Sequence, residues 1–154
     1  VLLYSASTVY HLQTSEEAKK RLRKFDHISI FYLIAGTYTP ITLVAMRGSW
    51  GWPIFGIIWA LALGGTAFKL FLTGRFTIVS VVIYVAMGWR VIVAIVPLIR
   101  SVTTESLLWI IAGGVSYTAG VAFYTWKRLR FHHAIWHLFV MGGTASHFVA
   151  VMSL

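Results

Sequence analysis

The sequence predicts an all-α membrane protein, a transmembrane helical bundle of which this chain carries six segments; with one span missing before them, the intact protein is expected to be a seven-helix transmembrane bundle. Composition is the first reason. The chain has 154 residues, 58% of them hydrophobic and 11% charged, with a mean hydropathy of +0.80. A soluble domain carries about a quarter charged residues. Segment length is the second. Apolar runs near 20 residues, the length that crosses a bilayer, alternate with short polar connections. Charge placement is the third. The formal net charge is +9, but the basic residues cluster in the connections, as membrane topology requires and nucleic-acid binding does not. There is no cysteine, so disulfides and thiolate metal sites are excluded.

The whole chain, 1–154, reads as a single transmembrane helical domain. The first segment, residues 1–12, is too short to span. It begins without Met or a signal-peptide pattern, so we expect a fragment cut inside a helix. Residues 13–25, QTSEEAKKRLRKF, read as a strongly basic loop. The second span covers about 27–46 and is broken near its end by Pro40. A Gly-containing turn at 47–52 leads to the third span, about 53–72. A turn at 73–76 leads to the fourth, about 77–99, which holds Arg90. Residues 100–105 are polar. The fifth span is about 106–126, a basic KRLR turn follows, and the sixth is about 131–154.

Charge orients these spans. Alternate connections hold Lys19, Lys20, Arg21, Arg23 and Lys24, then Arg75 with nearby Lys69, then Lys127, Arg128 and Arg130. The other connections hold Arg47 and Arg100. The positive-inside rule puts the first set in the cytoplasm and the C-terminus outside.

That orientation gathers polar residues from three helices at one depth. The last segment, FHHAIWHLFVMGGTASHFVAVMSL, carries four histidines. His133 and His137 are four apart and share a helix face. Neutral imidazoles at that spacing hold one metal ion in known zinc sites. His11 ends the first segment, Ser7 lies one turn before it on the same face, and Asp26 begins the second span. Ionisable side chains within membrane spans mark functional sites by default. Interfacial histidines bonded to carbonyls or headgroups are the plainer alternative.

Three neutral histidines plus water form a common catalytic zinc arrangement. Zinc would acidify the water and polarise a carbonyl. Asp26 would serve as general base or orient the water, and Ser7 would donate to an oxyanion. A membrane-embedded site suits a lipid amide or ester arriving from the bilayer.

The motifs SASTVYH (5–11), FDHISIFYLIAGTYTP (25–40) and HHAIWHLFVMGGTASHF (132–148) resemble the bacterial hemolysin III family, within the progestin and adipoQ receptor superfamily. RGSWGW (47–52), FKLF (68–71) and residues 113–130 extend the resemblance over nearly the whole chain. The resemblance implies seven helices with a zinc ion near the cytoplasmic side. It assigns His11, His133 and His137 as zinc ligands, with Asp26 and Ser7 beside the metal-bound water. It makes the short first segment helix two of seven, with helix one absent. It further implies a multi-pass protein of the bacterial inner membrane whose partners are membrane lipids, one of them a lipid substrate. The function expected is a zinc-dependent hydrolase of a lipid amide. The alternative is a channel-forming or membrane-lysing hemolysin with a structural zinc.

Other features have plainer readings. Pro40 bends its span. The pairs Gly64–Gly65, Gly113–Gly114 and Gly142–Gly143 suit close helix packing. Most of the seven Trp residues fall near span ends, as interfacial anchors. Residues 19–24 suit either topology or anionic lipid. His27 and His132 are expected beside the site. His147, roughly 15 Å deeper than His137, is expected as a hydrogen-bonded packing residue. Arg90 departs from the apolar residue expected inside a span.

Overall fold

The computed structural model describes residues 2–72 and 77–154. The expected turn at 73–76, with Arg75, lies outside the described residues. Every regular element described is helical: α1 Leu2–Leu12, α2 Glu16–Pro40 with a π-helical turn at Ile41–Ala45, α3 Gly51–Leu72, α4 Thr77–Gly88, a 3-10 stretch at Trp89–Ala94, α5 Ile95–Ser101, α6 Thr104–Thr125 and α7 His132–Met152. Five stretches are long and apolar enough to cross a membrane: Glu16–Ala45, Gly51–Phe71, Val79–Ser101, Thr104–Thr125 and His132–Met152. Only 17% of the apolar window in Val79–Ser101 is buried, so most of its side chains face outward, where lipid would cover them.

Residues 16–25 are a correction to the sequence reading. They form the first turns of α2 and not a loop. Glu, Ala, Lys, Arg and Leu are strong helix formers, Glu16 and Glu17 sit favourably in the first turn, and Arg21 pairs with Glu17 at 2.8 Å. The loop is reduced to residues 13–15, where Gln13 Oε1 accepts from the Thr14 and Ser15 amides.

At the far end of α2, Pro40 disturbs the hydrogen-bond ladder as expected. The backbone responds with a π turn closed by Met46 N donating to Ile41 O at 3.0 Å. The Thr42 hydroxyl donates to Tyr38 O at 2.8 Å, taking up a carbonyl there. Gly51, the first residue of α3, lies against the backbone of Thr42 and Met46, where a Cβ would collide.

The fourth span, expected at about 77–99, is found as Val79–Ser101 and is interrupted by the 3-10 stretch. Tyr38 explains the break at Trp89–Ala94: its hydroxyl donates to Gly88 O at 2.6 Å and accepts from Val91 N at 3.0 Å. A side chain from α2 thus satisfies the backbone where α4 ends, as a broken membrane helix requires. Arg90 lies in this stretch and is exposed, which leaves its guanidinium to snorkel along the outer surface.

Because lipid tails are as apolar as the side chains, close packing and hydrogen bonds hold membrane helices together. The α6–α7 pair, the most extensive in the bundle, shows both. Ser106 donates to Ala150 O at 2.8 Å and Ser116 to Phe139 O at 2.7 Å. Gly113 receives the His147 ring and Gly143 the Tyr117 ring, whose Cζ would lie 2.8 Å from an added Cβ. On α3, Gly65 receives Phe31. Gly64 and Gly114 face open space, so only one glycine of each of those pairs is a packing point. Gly113→Ala is therefore expected to destabilise by about 1–3 kcal/mol through overpacking, seen as a lower unfolding temperature in detergent. Gly114→Ala is expected to be neutral or slightly stabilising. The helix α2 touches α1, α3, α4 and α7, which places its Asp26 end against all the elements that build the site.

Candidate metal centre

The ends of α1 and α7 and the start of the α2 span meet at the basic end of the bundle. His11 stands in the last turn of α1, and His133 and His137 in the first turns of α7. Phe131, at a left-handed φ of 62°, turns the chain sharply into α7, and the Arg130 guanidinium lies 4.9 Å over its ring. The i, i+4 spacing puts the His133 and His137 rings 4.8 Å apart. His11 arrives from α1 with its ring 5.0 Å from His133 and 5.8 Å from His137. One nitrogen from each can be chosen so that all three lie within 4.8 Å of one another.

These three histidines could hold a metal ion. Ligands at a tetrahedral centre with metal–nitrogen bonds of about 2.0–2.1 Å stand about 3.3 Å apart. His11 Nε2 and His133 Nε2 are already 3.2 Å apart. All three offer imidazole, which suits zinc and other first-row ions.

The neighbouring polar residues are where the sequence put them. Ser7 is buried on α1 and its Oγ is 3.3 Å from His137 Nε2. Asp26 is 2% exposed, and its Oδ1 has no hydrogen-bond partner. A buried carboxylate oxygen without a partner is costly, and such groups recur at reacting sites.

Aromatic side chains, which the sequence reading had not assigned, flank the cluster. Trp136 lies 4.5 Å from the His137 ring and 5.1 Å from the His133 ring. Tyr10 packs edge-on to His11 at 4.7 Å, and Tyr124 stands 6.1 Å from His133. Trp136 is an i+3 neighbour of His133, so the helical spacing that exposed the histidines carried this signal too.

The other histidines divide. His132 lies beside the cluster, its ring 6.3 Å from His133. His27 turns instead toward α3, its Nδ1 3.4 Å from Lys69 Nζ. His147 is the packing residue expected: its Nε2 is 3.1 Å from Ile110 O and its ring is edge-on to Tyr117 at 5.4 Å. Ile110 O can only accept, so Nε2 carries the proton.

A cavity of about 230 Å³ reaches this end of the bundle. Asp26, His27, Lys69 and His133 line it at the basic end, and Tyr38, Leu98 and Ile110 further in. It exceeds the ~150 Å³ engineered cavity that admits benzene, and its wall is mostly apolar side chains.

Comparison with known proteins places the chain in a family. A family model described as Haemolysin-III related matches residues 1–148. Hemolysin-3 of Bacillus cereus is 46% identical over 151 residues, covering 98% of this chain and 69% of the relative. The Hemolysin-3 homolog of Bacillus subtilis (strain 168) is 44% identical over 152 residues, covering 99% and 71%. Human monocyte to macrophage differentiation factor is 29% identical over 157 residues, covering 97% and 64%. No solved structure matches. With its membrane-spanning helices and a family match along nearly its whole length, this chain belongs to the haemolysin-III-related family of multi-pass membrane proteins.

Proposed function

We propose that His11, His133 and His137 hold a zinc ion and that the chain is a zinc-dependent hydrolase of a lipid amide. One observation carries the reading. Three histidines converge, with Ser7 against His137, and one of them, His133, lines with the buried Asp26 a cavity whose wall is mostly apolar. An amphiphile fits that shape, with its tail along the apolar wall and its acyl bond at the polar end. Zinc supplies Lewis acidity there, polarising a carbonyl and acidifying water. Asp26 takes a proton from the attacking water and returns one to the leaving amine. The Ser7 hydroxyl, held against His137, donates to the developing oxyanion. Trp136, Tyr10 and Tyr124 pack against the histidine rings and hold their orientation.

Charge supports a cytoplasmic position for the site and an outside C-terminus, and similarity to the Bacillus relatives supports a bacterial inner membrane. Lys19 to Lys24, Lys69 and Lys127 to Arg130 share the end that carries the histidines. The name of the Bacillus cereus relative, Hemolysin-3, favours a second reading, membrane lysis with the metal as a structural tie between α1 and α7.

The two readings separate in one experiment. Full-length protein in liposomes, given fatty amides with a fluorogenic amine, is expected to release the amine. A chelator should stop the release and added zinc restore it, with no leakage of trapped dye. Leakage without amine release would favour lysis and sink the hydrolase.

A further inference from the structure

Arg90 stands eleven residues from either end of the Val79–Ser101 span. About 16 Å of helix therefore separates it from each end, which puts it near the bilayer mid-plane. Its side chain is exposed, and its guanidinium makes no ion pair or hydrogen bond among the described residues. Snorkelling carries a long side chain to water only near helix ends. Elsewhere, charges within a membrane face a cavity or the bundle interior and pair there. Arg90 does neither. In a 3-10 helix, residues three apart stand over one another. Gly88, Trp89, Val91, Ile92 and Ala94 take the two sides that line the cavity, which leaves Arg90 and Val93 on the third, facing out. Val93 is 75% exposed. With Val96, Trp50 and Arg100 it lines an open groove on this face. The apolar window of this span is also the least buried of the five.

We propose that this outward face of α4 and α5 docks a transmembrane helix of another protein, and that the helix carries an Asp or Glu at mid-span to pair with Arg90. A carboxylate offsets the charge and matches the guanidinium fork with two parallel hydrogen bonds. Hydrocarbon tails do neither. The chain supplies no such carboxylate itself. Its acidic residues are Glu16, Glu17, Asp26 and Glu105. Glu16 and Glu17 begin α2, Glu105 sits in the first turn of α6, and Asp26 is buried beside the histidine cluster. A second copy therefore brings no exposed carboxylate to mid-span, and a two-fold contact centred here would set Arg90 against Arg90. Lipid phosphates lie about 15 Å away, beyond the edge of the hydrocarbon. The proposal depends on neither the metal nor hydrolysis.

Energy transfer between labelled full-length protein and synthetic membrane-spanning peptides tests it, in phosphatidylcholine liposomes. The peptides are Leu-Ala helices of about 23 residues, alike except for a central Glu, Gln or Leu. Wild type is expected to bind the Glu peptide about tenfold or more tightly than the Leu peptide, with a much smaller gain for Gln. Arg90→Leu should erase the preference, and it places on the lipid-facing surface the kind of residue a span ordinarily carries there. Arg90→Lys should keep part of the preference. Lys20→Met, which removes an exposed charge at the basic end of α2, should keep all of it. Equal binding of the three peptides by wild type would overturn the proposal, whether or not Arg90→Leu folds. A Glu preference retained in Arg90→Leu would overturn it too. So would a preference that vanishes when phosphatidylglycerol replaces part of the phosphatidylcholine, because a lipid phosphate would then hold the guanidinium. Self-association of wild type that is lost in Arg90→Leu would give the face to a second copy and overturn the proposal as well.

Discussion

Full-length protein is expected to carry one zinc per chain, and His137→Ala less than about a tenth of that. Outer hydrogen-bond partners of metal ligands alone cost 10–100-fold in affinity, so removing one of three direct ligands should cost at least about 100-fold. His133→Ala and His11→Ala should behave alike. His11→Ala is the cleanest variant, because its side chain is exposed and contributes little packing. His137→Ala also removes the Ser7 contact between α1 and α7. His147→Ala provides the control: its Nε2 is committed to Ile110 O, so that variant should lose stability and keep its metal. Undiminished zinc in all three ligand variants would contradict the assignment.

Asp26→Asn is expected to keep the metal and lower kcat for lipid amide hydrolysis by about 10²–10⁴-fold, the usual contribution of a general base. The substitution preserves size and removes proton affinity. Because Asp26 Oδ1 has no hydrogen-bond partner, the change breaks no existing bond at that atom. A rate within about twofold of wild type, measured on zinc-loaded protein, would remove Asp26 from the chemistry. Ser7→Ala should lose less, because its hydroxyl orients and donates without carrying the proton.

The fold was legible where one helix decides its own fate. Apart from the start of the second, apolar runs gave the spans to within a few residues, and Pro40 marked its own disruption. Residues 16–25 were misread because a run of like charge suggests a solvated loop. Their helix-forming residues and the Glu17–Arg21 pair were a signal that outweighed it. The break at Trp89–Ala94 was not legible, because a hydroxyl from Tyr38, some fifty residues away, satisfies it. The site follows the same division. The His133–His137 spacing is a property of one helix. The meeting of His11 with them depended on placing three helix ends on one side by charge, and the structure brings these residues together. The inward turn of Lys69 could not be read, since a lysine in a last turn can equally reach outward to water.

X-ray absorption at the zinc edge, on full-length protein purified without chelator, addresses the metal centre itself. The expected spectrum shows one zinc with three imidazole nitrogens and one oxygen at about 2.0–2.1 Å, and loses one imidazole or the metal altogether in His137→Ala. Metal-free protein, or a zinc bound without imidazole, would contradict the centre proposed for His11, His133 and His137.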